Sequence, residues 1–196
     1  MRRQFITSAV MLVAVTLALG FGYPLVVTGI SQLFFNHQAN GSLIYTHGKL
    51  TGSALLGQSF SSAKGDPLPQ YFQPRPSAAG SGYDGASSGA SNLGPSNPVL
   101  LNQVSERMTA YRHFNDLPAD APVPVDAVTA SGSGLDPDIS VQNALDQAPR
   151  VARARRLPVT QVVALVNKYT TKSQWGFLSE PVVNVLELNL ALEGAR

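Results

Sequence analysis

Residues 5–35 read FITSAVMLVAVTLALGFGYPLVVTGISQLFF, with no Asp, Glu, Lys, Arg or His anywhere in the run. About 20 apolar residues suffice to cross the hydrocarbon core of a bilayer, and this run is longer. In lipid a segment must satisfy its own backbone hydrogen bonds, so the run is expected to be a helix. A cleaved signal peptide also starts with positive charge and ends in small residues, and Ala18-Leu19-Gly20 could serve as a cleavage site. A signal core spans about 7–15 residues, however, whereas apolar character here continues through Leu25, Val26, Val27 and Ile30. A retained anchor is the stronger reading. Pro24 removes one backbone donor, and with Gly20 and Gly22 just before it the helix is expected to kink there.

Charge sets the orientation. Arg2 and Arg3 precede the span, and the first Lys or Arg after it is Lys49. The positive-inside rule then puts the N-terminus in the cytoplasm and residues 37–196 outside. The expected organisation is a cytoplasmic stub with a single transmembrane helix over 1–36 and an extracytoplasmic domain over 37–196. One helix without ionisable side chains encloses no pore, so a transport role would require partner subunits.

The outer part is loop-rich and thinly charged. The chain holds 17 Gly and 14 Pro, 13% charged and 44% hydrophobic residues, which is too apolar for wholesale disorder. Cysteine is absent, which excludes a disulfide framework, a thiolate metal site, a cysteine nucleophile and a lipidated N-terminal Cys. Setting Arg2 and Arg3 aside leaves twelve Lys and Arg against twelve Asp and Glu. The one basic cluster, Arg150, Arg153, Arg155 and Arg156, has no interleaved aromatics. It reads as a solvated helix face rather than a nucleic-acid surface.

Along the chain, Ser42 to Tyr45 and Leu55-Leu56 suggest strand pieces separated by turns at Gly48 and Gly52, after a turn at Asn40-Gly41-Ser42. Residues 61–98 are rich in Gly, Ser and Pro and by composition alone would be a linker. Tyr71, Phe72, Tyr83 and Leu93 interrupt it, and an ordered, irregular surface loop fits them better. Residues 98–115 make the clearest helix, capped by Ser96 or Asn97, with Leu100, Val104, Met108 and Tyr111 on its core face. His113 near its end suits the helix dipole; His37 and His47 are distant in sequence, and no metal site is expected. After a Pro/Asp-rich connector, VQNALDQAPRVARARRLP reads as two helical pieces broken at Pro149. Pro158 opens another helix with Val159, Val162, Val163 and Val166 on one face. The closing VVNVLELNLAL suggests a β-strand with a phase slip near Leu186. Several short helices and few strands imply an α+β domain behind the single transmembrane helix.

SGSGLDPDIS at 131–140 is the stretch most suggestive of a ligand. Gly132 and Gly134 permit a sharp turn, Asp136 could cap a helix with Pro137 in its first position, and Asp138 would add negative charge at the dipole's positive end. The competing reading is an anion or cofactor site formed by Gly132, Gly134 and Asp136 at a helix N-terminus. Catalytic motifs are missing. Gly48-Lys49 lacks the rest of a P-loop, no Asp-Lys-Thr-Gly phosphorylation loop occurs, Gly132-x-Gly134 lacks the third glycine of a dinucleotide fingerprint, and no Gly-x-Ser-x-Gly elbow is present. Asp136 and Asp138 as an acid–base pair are outweighed by a structural role.

Longer stretches carry a resemblance. GSALLGQSF (52–60), YFQPRPSAAG (71–80), SGASNLGPSNP (88–98), SGSGLDPDIS (131–140), APRVARARRLP (148–158) and EPVVNVLELNLAL (180–192) resemble the C subunit of the Kdp potassium-transporting ATPase, over nearly the whole chain. One departure is Val182-Val183, where the family typically carries an Arg before the VNVLELN segment. The resemblance implies a bacterial inner-membrane complex with three partners: a channel-like potassium-binding subunit, a P-type ATPase subunit and a very small membrane subunit. It implies a non-catalytic chain needed for assembly, a catalytic chaperone that raises the ATP affinity of the hydrolysing subunit, with ATP as the implied nucleotide. Since ATP is hydrolysed inside, a periplasmic domain would have to act through subunit packing. The alternative from the residues is a membrane-anchored periplasmic nucleotide- or solute-binding module.

Overall fold

A computed structural model describes residues 1–79 and 82–194; Gly80, which closes the YFQPRPSAAG stretch, lies outside them. The chain is mixed helix and strand and divides into two compact units, Met1–Leu43 and Ile44–Arg196.

In the first unit, α1 (Arg2–Leu17) and α2 (Tyr23–Phe34) are joined through one widened turn, Ala18–Gly22. The whole of Arg2–Phe34 is helical, apolar and unburied, long enough to cross a membrane. The widened turn explains how Pro24 is carried. A proline has no N–H for the carbonyl four residues back, and just before it the Tyr23 N–H bonds five residues back, to Ala18 O. The helix changes pitch where Gly20, Gly22 and Pro24 cluster. The short α3 (Asn36–Ala39) follows, then a turn in which Gly41 and Ser42 take positive φ.

β1 (Leu43–Thr46) and β2 (Lys49–Ser53) form a two-stranded sheet. They are joined by His47-Gly48, both at positive φ, as a tight hairpin turn requires. Gly52 is inside β2 and not a turn. Leu55-Leu56 is not a strand either: Ser53 turns the chain, its hydroxyl accepting from Leu55 N and its carbonyl from Leu56 N.

The core of the second unit lies among a three-stranded antiparallel sheet and three helices. The strands β3 (Asp138–Ser140), β4 (Thr170–Thr171) and β5 (Val182–Asn184) run in the order β3-β5-β4, with Ile139 opposite Val183, both buried. The helices α6 (Val141–Arg155), α7 (Val159–Lys168) and α8 (Val185–Glu193) close over Phe72. Ala144, Ala148, Val151 and Ala152 of α6, Val162 and Val166 of α7, and Val185, Leu188 and Leu192 of α8 are all buried.

Two expectations fail here for the same reason: β3 and β5 each pass directly into a helix through one capping residue. Ser140 accepts from Asn143 N at 3.2 Å and starts α6; Asn184 accepts from Glu187 N at 3.1 Å and starts α8. The closing VVNVLELNLAL is therefore three residues of strand and then helix, and the phase slip at Leu186 marks the change of period from 2 to 3.6. Asp136 caps nothing, because α6 begins at Val141. Pro149 does not split α6, which runs unbroken with the proline inside it. The cost is one missing bond to the Leu145 carbonyl, offset by the packing of the flanking alanines and Val151.

The helix expected at 98–115 is α4 (Pro98–Phe114), with Asn97 as cap accepting from Val99 N. Its predicted core face is only half-buried and no residue of α4 is fully buried. The short α5 (Val125–Val128) lies in the connector.

Candidate functional site

The resemblance stretches YFQPRPS and APRVARARR turn out to be each other's partners. Asn143, Gln147 and Arg150 stand at i, i+4 and i+7 on α6, a polar stripe beside the alanine face. All three are buried, Arg150 to 4% exposure. Gln147 grips the backbone of Gln73, accepting from its N–H at 2.7 Å and donating to its carbonyl at 3.1 Å. Asn189 of α8 does the same to Phe72, at 2.8 and 3.0 Å. Each side-chain amide thus replaces the neighbouring strand that this irregular segment lacks, and buried backbone groups are satisfied as they must be.

Arg150 completes the clamp. Its guanidinium donates to Pro69 O (2.5 Å), Tyr71 O (3.0 Å), Gln147 Oε1 (2.9 Å) and Asn115 Oδ1 (2.9 Å), and lies 4.2 Å from the centre of the Phe114 ring. Burial lowers its pKa to about 10, so it is a cation at neutral pH, held by neutral acceptors and an aromatic face. Arg155, also buried, donates to Gln70 O at 2.6 Å and Leu192 O at 3.2 Å and stacks over Tyr71. Two members of the cluster read as a solvated face are thus internal. Arg153 and Arg156 are exposed, Arg153 pairing with Asp116 at 2.7 Å. The stripe runs on through Asn143 to Tyr111 and Asp126. Burial first, then the nearby Asp146 and Asp126, raise the Tyr111 pKa, so it stays a neutral donor.

The SGSGLDPDIS loop is docked on the same segment. Ser131 N donates to Pro76 O and Ala78 N to Ser131 O, both at 2.8 Å, and Gly132 O accepts from Gly89 N. Gly134 has φ +72°, its N–H is taken by Ser131 Oγ, and a Cβ on it would lie 2.6 Å from Ser77 Cβ. Close packing, besides the turn, requires glycine there. Asp136 forms an ion pair with Arg75 at 2.6 Å, and Arg75 also donates to Thr129. The three candidate ligand residues therefore lie in one loop, but not at a helix N-terminus. At the true start of α6 a carboxylate is already present: Asp126 accepts from Ser140 N, Ser140 Oγ and Asn143 Nδ2, each at 2.8 Å. A hollow of about 410 Å³ remains beside Gly132, between the loop and α4, with Arg107, Gln103 and Thr129 on its wall.

Sequence reasoning missed the clamp because Arg, Gln and Asn are usually read as surface residues. The available signal was their helical spacing: 143, 147 and 150 form a stripe too regular for a solvated face next to alanines.

Comparison with known proteins gives one answer. The family model described as KdpC, the c chain of K+-transporting ATPase, matches residues 5–194. The potassium-transporting ATPase KdpC subunit of Mycobacterium tuberculosis is 56% identical over 193 residues, covering 98% of this chain and 99% of the relative. The protein of the same name from Acidobacterium capsulatum is 52% identical over 175 residues, 89% of each chain. That from Rhodospirillum rubrum is 50% identical over 194 residues, covering 98% of this chain and 96% of the relative. A match of this length, running through the apolar helix, the clamp and the SGSG loop alike, means that the chain belongs to the KdpC family, the c chains of K+-transporting ATPases.

Proposed function

We propose that the chain is a non-catalytic accessory subunit of an ATP-driven potassium uptake complex, anchored by its single helix and needed to assemble the other subunits. Those are a channel-like potassium-binding subunit, a P-type ATPase subunit and a small membrane subunit. The observation that supports it is where the polar residues of the family stretches are spent. Arg150, Asn189, Arg75 and Asp136 of those stretches, with the adjoining Gln147, hold one irregular segment in a fixed shape, which suits a scaffold presenting a surface. In this reading the domain over 37–196 is periplasmic, on the charge argument from Arg2 and Arg3, in the bacterial inner membrane. It raises the ATP affinity of the hydrolysing subunit through subunit packing and not through contact with nucleotide.

Omitting the chain is expected to prevent recovery of an intact complex and to abolish ATPase activity or raise the ATP concentration it needs. A stable, fully active complex without it overturns the proposal. Protease added to spheroplasts is expected to cut within 61–98; protection of that segment reverses the orientation.

The second reading, a nucleotide- or solute-binding module, is favoured only by the hollow beside Gly132. A Cβ at Gly132 meets nothing closer than Gly89 O at 3.7 Å. Gly132→Ala is therefore expected to fold and assemble normally. Loss of nucleotide binding by an otherwise intact Gly132→Ala complex would establish the second reading.

A further inference from the structure

The connection between β4 and β5 carries SQWGFLS at 173–179. Its large apolar side chains point outward: Trp175 is 85% exposed, Phe177 76% and Leu178 55%. Three adjoining exposed apolar groups of this size exceed the isolated exposed leucine that surfaces commonly show. The loop also closes on itself. Gly176 N donates to Ser173 O, Phe177 N and Leu178 N to Gln174 O, and Gln174 N to Ser179 Oγ. Trp175 and Gly176 both take positive φ, 53° and 82°, a conformation that tryptophan rarely adopts.

We infer that this tip is a second membrane contact, in which Trp175, Phe177 and Leu178 enter the headgroup region of the bilayer that the N-terminal helix spans. Three observations select lipid as the occupant. The amides of Gln174, Gly176, Phe177 and Leu178 are already bonded within the tip, which lowers the cost of placing this backbone in a water-poor layer. No charged residue lies between Lys172 and Glu180, and a Trp-Phe-Leu set is the composition that partitions to the interface. The chain itself also supplies the bilayer. Only residues 35–42 separate α2 from β1, so the domain is tethered to the apolar helix by a short piece of chain. The inference rests on the anchored reading above, but not on which side of the membrane the domain occupies.

Trp175 is the only tryptophan in the chain, so its fluorescence reports on the tip directly. The full chain is reconstituted into phosphatidylethanolamine–phosphatidylglycerol vesicles, with and without phospholipid brominated near the headgroup end of its acyl chains. Flotation with the vesicles and at least a halving of Trp175 emission by the brominated lipid are expected. The double substitution Phe177→Ser and Leu178→Ser is expected to float equally well and to lose most of that quenching. A chain that floats while its emission stays unquenched overturns the inference and leaves the anchor standing. A chain that does not float overturns both. Emission that is unquenched in the chain alone but shifts to the blue when the other subunits are added overturns the lipid contact in favour of a protein docking site.

Discussion

Residues 69–79 and residues 173–179 are both irregular, and they are ordered by opposite means. The first has almost no hydrogen bonding of its own. Its backbone is held by Gln147, Arg150, Arg155 and Asn189, residues 74 to 117 positions away for the Gln73 and Phe72 contacts. The second is bonded within seven residues and sends its apolar side chains outward. The contrast shows that order in a loop has two sources. A loop clamped by distant side chains stands or falls with the domain, whereas a self-closed loop can be altered on its outer face at little cost.

That contrast can be broken most forcefully at Arg150. Arg150→Ala strips donors from four neutral acceptors at once, and each buried acceptor left unsatisfied costs about 1–3 kcal/mol. Hydrogen exchange on the full chain in detergent should show the amides of Phe72 and Gln73 losing protection. Protection equal to wild type would mean that the segment does not depend on the clamp. Asn189→Ala comes next, with a loss of about 1–3 kcal/mol for two unsatisfied buried backbone groups, read as faster exchange at Phe72 before any change in α6.

A smaller effect concerns charge. Burial raises the pKa of Asp138 and of Asp146, each against a partly offsetting hydrogen bond, from Asn184 and Gln142 respectively. An acid whose folded pKa exceeds its unfolded value binds more protons when folded, so its contribution to stability grows as pH falls through the folded value. The Asp138→Asn, Asp146→Asn double variant should therefore gain stability relative to wild type at pH 7. That gain should shrink as the pH is lowered into the carboxylate range, measured as the difference in Tm. A gain that is constant with pH would contradict the burial argument. The smallest expected effect is at the tip, where Trp175→Ser should change stability by less than about 0.5 kcal/mol. A larger loss would show that the tip is packed and not presented.

The apolar helix, long enough to cross a membrane, was legible from residues 5–35, because lipid imposes a length and a charge rule that local composition satisfies. The helix at 98–114 was legible from its cap and periodicity, and so was the α+β class. Legibility stopped where one residue type serves two environments. Arg150 and Arg153 are three positions apart, yet one is buried in the clamp and the other is on the surface. Asp136 and Ser140 are both good caps by type, and only the register of β3 against β5 decided that Ser140 starts the helix. Pro149 looked like a breaker because the energy that carries it through α6 comes from packing on α7, outside its own segment.

By itself, the sequence determined the long apolar N-terminal helix, the absence of cysteine chemistry, the mixed fold class and the family, all of which depend on local composition or literal motif. Only the tertiary structure decided which polar side chains face inward, where strands become helices, and that the SGSG loop packs on Ser77 and Arg75. These are contacts between residues tens of positions apart. Their free energy depends on who is buried beside whom, which no short window of sequence contains.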